Sequence, residues 1–145
     1  MIDPKTLVGR WDIVAWEQLY DDGRKQLPLG EELEGFLRYT EEGDLIVMIA
    51  RKDRKPFVTG GQWNADDAEK AGAYSSMLSY AGRYEVQGDT VIHKVDISLF
   101  PNWKGGEQKR QLELKDDNTL AIKARLEEGS PQARTAQLLW RRHGS

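Results

Sequence analysis

The feature that most limits how this chain can fold is a period-two alternation of apolar and polar residues, broken by connections that are short and long in turn. Eight stretches carry it: Leu7–Leu19, Gly35–Thr40, Asp44–Arg51, Arg83–Gln87, Thr90–Leu99, Glu107–Lys115, Thr119–Arg125 and Ala133–Arg142. Tight turns at Glu41–Gly43, Gly88–Asp89 and Asp116–Asn118 alternate with long segments. In an antiparallel meander every second connection lies at the same end. All the tight turns therefore fall at one end and all the long segments at the other. The reading is an all-β fold, an eight-stranded up-and-down antiparallel barrel with a plain base and an elaborated mouth. One stretch has a different period. Asn64–Tyr80 reads as a helix at the open end, with Asn64 as N-cap, Asp66, Asp67 and Glu69 at the positive end of its dipole, and Ala71, Tyr74 and Leu78 as an apolar stripe.

Nothing in the 145 residues divides the chain: no linker, repeat or low-complexity segment is present, so residues 1–145 are read as one domain. Against 24 Asp and Glu stand 21 Lys and Arg, a net charge of -3 that suits neither a phosphate backbone nor an anionic membrane. No apolar run approaches the roughly 20 residues of a membrane span. The absence of Cys removes disulfides, thiolate nucleophiles and Cys-ligated metals, and two His make a His-rich metal centre unexpected. Phosphate-cradling glycine motifs and the Gly-x-Ser-x-Gly nucleophile elbow are also missing. The expectation is a protein with no cofactor and no metal. Met1–Lys5 carries no signal-peptide pattern, so cytoplasmic residence is expected.

The first strand opens with Gly9-Arg10-Trp11, which resembles the Gly-x-Trp signature of lipocalins and related calycins. In those proteins the Trp plugs the barrel base and a basic residue of the last strand packs across it; Arg141 or Arg142 would do so here. A longer set of stretches resembles the bacterial lipocalin-like domain family of small stand-alone barrels: Leu7–Trp11, Pro28–Gly30, Arg51–Phe57, Tyr80–Val86 and Ser98–Trp103. Lys52 departs from the Pro expected in relatives. The resemblance implies a ligand-holding barrel and no particular ligand, since most members have no assigned activity.

Alternation assigns faces. Val91, His93, Val95, Ile97 and Leu99 share the inner side of the fifth strand; Gln108, Arg110, Leu112 and Leu114 that of the sixth; Tyr84 and Val86 that of the fourth; and Leu120, Ile122 and Ala124 that of the seventh. Trp16 falls on the outer face with this phase, a candidate homodimer contact. An inward Arg is costly unless paired or wet. Arg110 either pairs with an internal carboxylate, Glu17 being the candidate, or meets a ligand carboxylate, phenolate or carbonyl. His93 is either a core histidine bonded to a Tyr hydroxyl or carbonyl, or a ligand or acid–base group. Pairing the strands across the Phe100–Gly106 loop puts Ile97 near Arg110, with His93 about 13 Å deeper, a gap that a ligand would bridge. Tyr84 lies opposite His93, close enough for a hydrogen bond. At the mouth, Trp103, Asn102, Tyr80, Tyr74, Met77, Trp63 and Arg51 suit a flat apolar ligand.

The expected function is binding of a small, largely apolar or aromatic molecule with one polar or anionic group. Val91, Val95, Leu112, Leu114, Ile122 and Tyr84 would form the wall, and His93, Gln108 and Arg110 would orient the polar group. Trp103, Asn102, Tyr80, Arg51 and Glu17 would complete the mouth, gated by the helix and the Phe100–Gly106 loop. The rival is a cofactor-independent lyase, isomerase or cyclase acting on an aromatic or polyketide-like molecule. His93 or Tyr84 would then move a proton and Arg110 would hold an enolate or phenolate.

Overall fold

A computed structural model describes residues 1–145. Nine strands follow in chain order: β1 (Gly9–Tyr20), β2 (Lys25–Gln26), β3 (Leu33–Tyr39), β4 (Asp44–Arg51), β5 (Met77–Gln87), β6 (Thr90–Ser98), β7 (Glu107–Asp116), β8 (Thr119–Leu126) and β9 (Arg134–Arg142). One helix, α1 (Asp67–Ser75), lies between β4 and β5. The eight long strands pair antiparallel in sequence order from β1 through β3 to β9. β9 then returns to β1 over Trp11↔Arg142 to Tyr20↔Arg134 and closes the barrel. The two-residue β2 adds to β1 at Gln18 and Leu19. No helix is long and apolar enough to cross a membrane.

The base is solid. Leu7, Trp11, Leu37, Val91 and Leu120 are buried there, and Trp11 donates its indole N–H to the Leu7 carbonyl at 2.9 Å. Arg142 settles which basic residue crosses it: its guanidinium lies 4.2 Å over the Trp11 ring and donates to the Thr6 carbonyl at 2.8 Å. Gly9 sits beneath that guanidinium with φ +124°, a conformation that disfavours a side chain.

Two bulges change the expected faces. β1 gains a residue at Val14, where its register with β9 steps from Ile13 to Ala15. Beyond the bulge the alternation inverts. Trp16 and Gln18 turn into the lumen, so Trp16 is not the outer-face residue that the alternation assigned, while Glu17 turns outward to meet Lys25 Nζ at 3.1 Å. β6 bulges at Asp96, opposite the step between Ala81 and Gly82 of β5. Ile97 and Leu99, expected inside, are consequently 66% and 40% exposed. Gly82 is required at this crossing, because a Cβ there would stand 1.9 Å from the Lys94 carbonyl oxygen.

The helix is shorter than its sequence suggests. Asp66, not Asn64, is the N-cap and accepts from the Glu69 amide at 2.9 Å. Residues Met77–Tyr80 belong to β5, whose ladder with β4 begins at Ala50↔Met77. Leu78 and Tyr80 alternate inward there, and strand pairing takes what the helical spacing of Leu78 had claimed. No residue of α1 is buried. It lies outside the barrel, with Glu69 accepting from the backbone amides of Val58 and Thr59 at 3.0 and 2.9 Å.

Candidate functional site

Above the packed base the lumen opens into a cavity of about 280 Å³. Leu37, Val47, Leu78, Ile122, Leu138 and Trp140 form part of its apolar wall. Its polar groups are few: Tyr80, His93, Gln108 and Arg110 on one side, and Gln18 on the other. Val91, Val95, Leu112, Leu114 and Tyr84, expected to line the wall, instead pack in the core around it, leaving Ile122 as the one member of that set on the surface. Filling of the base by Trp11 and its neighbours makes the cavity shallower than an open cup.

His93 occupies the middle of β6 and is 2% exposed. Tyr39, from the end of β3, reaches its Nε2 at 2.7 Å, and Tyr80, from β5, reaches its Nδ1 at 2.7 Å. The hydroxyl of Tyr84, the expected partner, donates instead to the Thr40 carbonyl at 2.7 Å, although Tyr84 is the Cα partner of His93. Its ring packs on Tyr39 with centroids 4.5 Å apart, away from the cavity. Burial pushes the His93 pKa down to about 3, with the charge of Arg110 acting in the same direction. Burial likewise raises both phenols, Tyr39 most strongly, while Arg110 opposes the rise at Tyr80. At neutral pH the cluster is therefore an uncharged imidazole between two uncharged phenols.

Arg110 stands beside this cluster, not a ligand's length away. The β6–β7 register pairs His93 with Gln108 and Val91 with Arg110. The ladder stops at Lys94↔Glu107, and the chain between them leaves the barrel at the Asp96 bulge and a 3-10 turn at Pro101–Trp103. This overturns the pairing of Ile97 with Arg110. The half-buried guanidinium donates from Nη1 to the Lys109 carbonyl at 3.0 Å and from Nη2 to Gln108 Oε1 at 3.2 Å. It belongs to none of the chain's ion pairs. Glu17, its expected partner, is turned to Lys25. Burial holds the Arg110 pKa below its ordinary value, yet a guanidinium remains charged at any physiological pH.

The other candidates divide. Trp103 lines the cavity mouth, its ring edge-on to Tyr80 at 5.8 Å and to Phe100 at 5.5 Å. Asn102 is exposed on the same turn and is absent from the lining. Arg51 is exposed and paired with Asp53 at 3.0 Å. Trp63 and Tyr74 are exposed, and α1 contributes nothing to the cavity, so of the two expected gates only the Trp103 turn reaches it. Tyr39 escaped the sequence reading, although it alternates with Leu37 on the inner face of β3. Trp16 and Gln18 escaped because the Val14 bulge is invisible to a strict period of two. The indole nitrogens of Trp16 and Trp140, both on the cavity wall, are buried without a hydrogen-bond partner. The structure contains no cluster of His and carboxylates able to hold a metal ion.

A stretch of 59 residues is 39% identical to the 4'-hydroxy-3'-methoxypropiophenone carrier protein of Aspergillus oryzae, covering 35% of this chain and 53% of that protein, about half its length. A crystal structure of an uncharacterized protein from Bacteroides eggerthii is similar with a TM-score of 0.49 and 16% identity, over 94% of this chain and 99% of that one. A de novo designed fluorescence-activating β-barrel is similar with a TM-score of 0.45 and 11% identity, over 99% of this chain and 100% of that one. The lipocalin-like domain matches over residues 8–143, almost the whole of the closed barrel and its base, and the chain belongs to that family.

Proposed function

We propose that this protein binds a small aromatic or largely apolar molecule in the barrel cavity, with one polar or anionic oxygen of the ligand against Arg110. The observation that carries the reading is a half-buried guanidinium without a carboxylate partner in a mostly apolar chamber. Taking a charge from water without a counter-charge is unfavourable, and a ligand oxyanion or carbonyl would offset that cost. The volume of about 280 Å³ suits a ligand of one substituted ring, just below the roughly 300–1,000 Å³ of small-molecule sites. The similarity to a protein named as a carrier of a hydroxylated, methoxylated aryl ketone supports the same ligand class.

Binding is favoured over a lyase, isomerase or cyclase step. That step would need His93 or Tyr84 to move a proton. Both His93 nitrogens are engaged by tyrosines, burial pushes its pKa down to about 3, and the Tyr84 hydroxyl is committed to Thr40. The test is a titration with 4'-hydroxy-3'-methoxypropiophenone and a panel of aryl carboxylates, read by tryptophan fluorescence, because Trp16, Trp103 and Trp140 line the cavity. Saturable binding that weakens at least tenfold in Arg110→Met is expected. Equal binding by both proteins, or saturation by no member of the panel, contradicts the proposal.

A further inference from the structure

Hydrogen positions in the polar corner of the cavity decide which ligand atoms it accepts. A neutral imidazole has one N–H and one bare nitrogen. Of the two tyrosines on His93, one therefore donates and the other accepts. Tyr39 is 0% exposed, and its hydroxyl has no partner other than His93 Nε2. Were the proton on Nε2, the Tyr39 O–H would be buried with no acceptor, the costlier arrangement. Tyr39 therefore donates to Nε2, the imidazole proton sits on Nδ1, and Nδ1–H donates to the Tyr80 oxygen. The Tyr80 hydrogen is left over, on a residue that lines the cavity.

The same accounting covers the glutamines. A guanidinium has only donors, so the Gln108 oxygen faces Arg110 and its amide hydrogens stay free. Across the lumen Gln18 Oε1 is taken by Arg134 Nε at 2.7 Å, leaving its NH2 free. The indole nitrogens of Trp16 and Trp140 are shut off from the cavity space and add no donor to it, and no carboxylate lines the wall.

We propose that the cavity is a donor-dominated chamber in which the Tyr39–His93–Tyr80 chain fixes the Tyr80 O–H as a donor beside Arg110, so that the ligand it selects offers acceptor oxygens (phenolate, carboxylate or conjugated carbonyl) and no ammonium group. The inference rests on the cavity being a binding site and specifies what it binds. Tyr39 is a positioning residue: it acts on the ligand only through His93.

Three probes of similar size test it: acetophenone, ethylbenzene and 1-phenylethylamine, titrated by tryptophan fluorescence at pH 7. Acetophenone is expected to bind at least tenfold tighter than ethylbenzene, and the ammonium of 1-phenylethylamine to bind at least tenfold weaker than ethylbenzene. Tyr39→Phe releases the tautomer, and the preference for acetophenone over ethylbenzene should fall at least threefold. Independently of any variant or ligand, 15N NMR of the imidazole should show Nδ1 protonated and Nε2 bare. Binding of all three probes alike, or a proton on Nε2, overturns the inference and leaves a binding cavity of different selectivity. Failure of all three to bind overturns the binding reading and this inference with it.

Discussion

Gln108 faces His93 directly across the ladder between β6 and β7. Two residues on, Arg110 keeps the same inward face and enters the corner already held by Tyr80 and His93. This register gathers into one site groups that a simple hairpin would have spread along the barrel, and the account of ligand recognition depends on it.

Arg110 contributes a desolvated charge and two modest hydrogen bonds to the protein. Replacing it with Met should leave stability unchanged or raise it by about 1 kcal/mol, while affinity for an aryl carboxylate falls at least tenfold. Thermal unfolding and calorimetric titration of the same variant separate the two effects. A loss of stability beyond about 2 kcal/mol would mark Arg110 as a structural residue.

His93 makes stability depend on pH. Below pH 6.5 the unfolded chain takes up a proton that the folded chain refuses until about pH 3. Stability therefore falls as the pH falls through that window, with a limiting slope of about 1.4 kcal/mol per pH unit for one proton. Urea unfolding at pH 7, 6 and 5 should show the decline, and His93→Gln should flatten it. An identical slope in the variant would refute the assignment.

Arg142 holds the base without touching the cavity. Its removal as Arg142→Ala forfeits the stacking on Trp11 and the bond to the Thr6 carbonyl, an expected loss of about 2 kcal/mol. Ligand affinity should not change. A fall in affinity matching the fall in stability would show that base and cavity are coupled.

Gly82→Ala tests the β5–β6 crossing. The added Cβ meets the Lys94 backbone oxygen, and backbone must shift to admit it. Destabilisation of more than about 3 kcal/mol is expected, with loss of the slow hydrogen exchange of Val95. Wild-type stability would show that the bulge is not held by this close approach.

Much of this was legible from alternation because a barrel strand has one dry face and one wet face. The inward placement of His93, Gln108, Arg110, Leu120 and Ile122 follows from it, and so does the gathering of tight turns at one end. Bulges defeat it. A single extra residue at Val14 reverses Trp16, Glu17 and Gln18, and another at Asp96 reverses Ile97 and Leu99. Such insertions leave no mark on composition or periodicity. The helical spacing of Tyr74 and Leu78 misled for a different reason: Met77–Tyr80 is also a good strand, and pairing with β4 decides between the two. Alternation does not single out Tyr39, because the partner of its hydroxyl, His93, is set by the closing of the barrel.

The central claim, a lumen that holds an acceptor-bearing small molecule through Arg110, is tested most directly by native mass spectrometry of protein purified from its own host, as wild type and as Arg110→Ala. The account predicts a co-purifying small molecule on the wild type, of one aromatic ring's size and carrying a carboxylate, phenolic or carbonyl oxygen, absent from the variant. A bound molecule retained equally by the variant, or one whose only polar group is an amine, would contradict it.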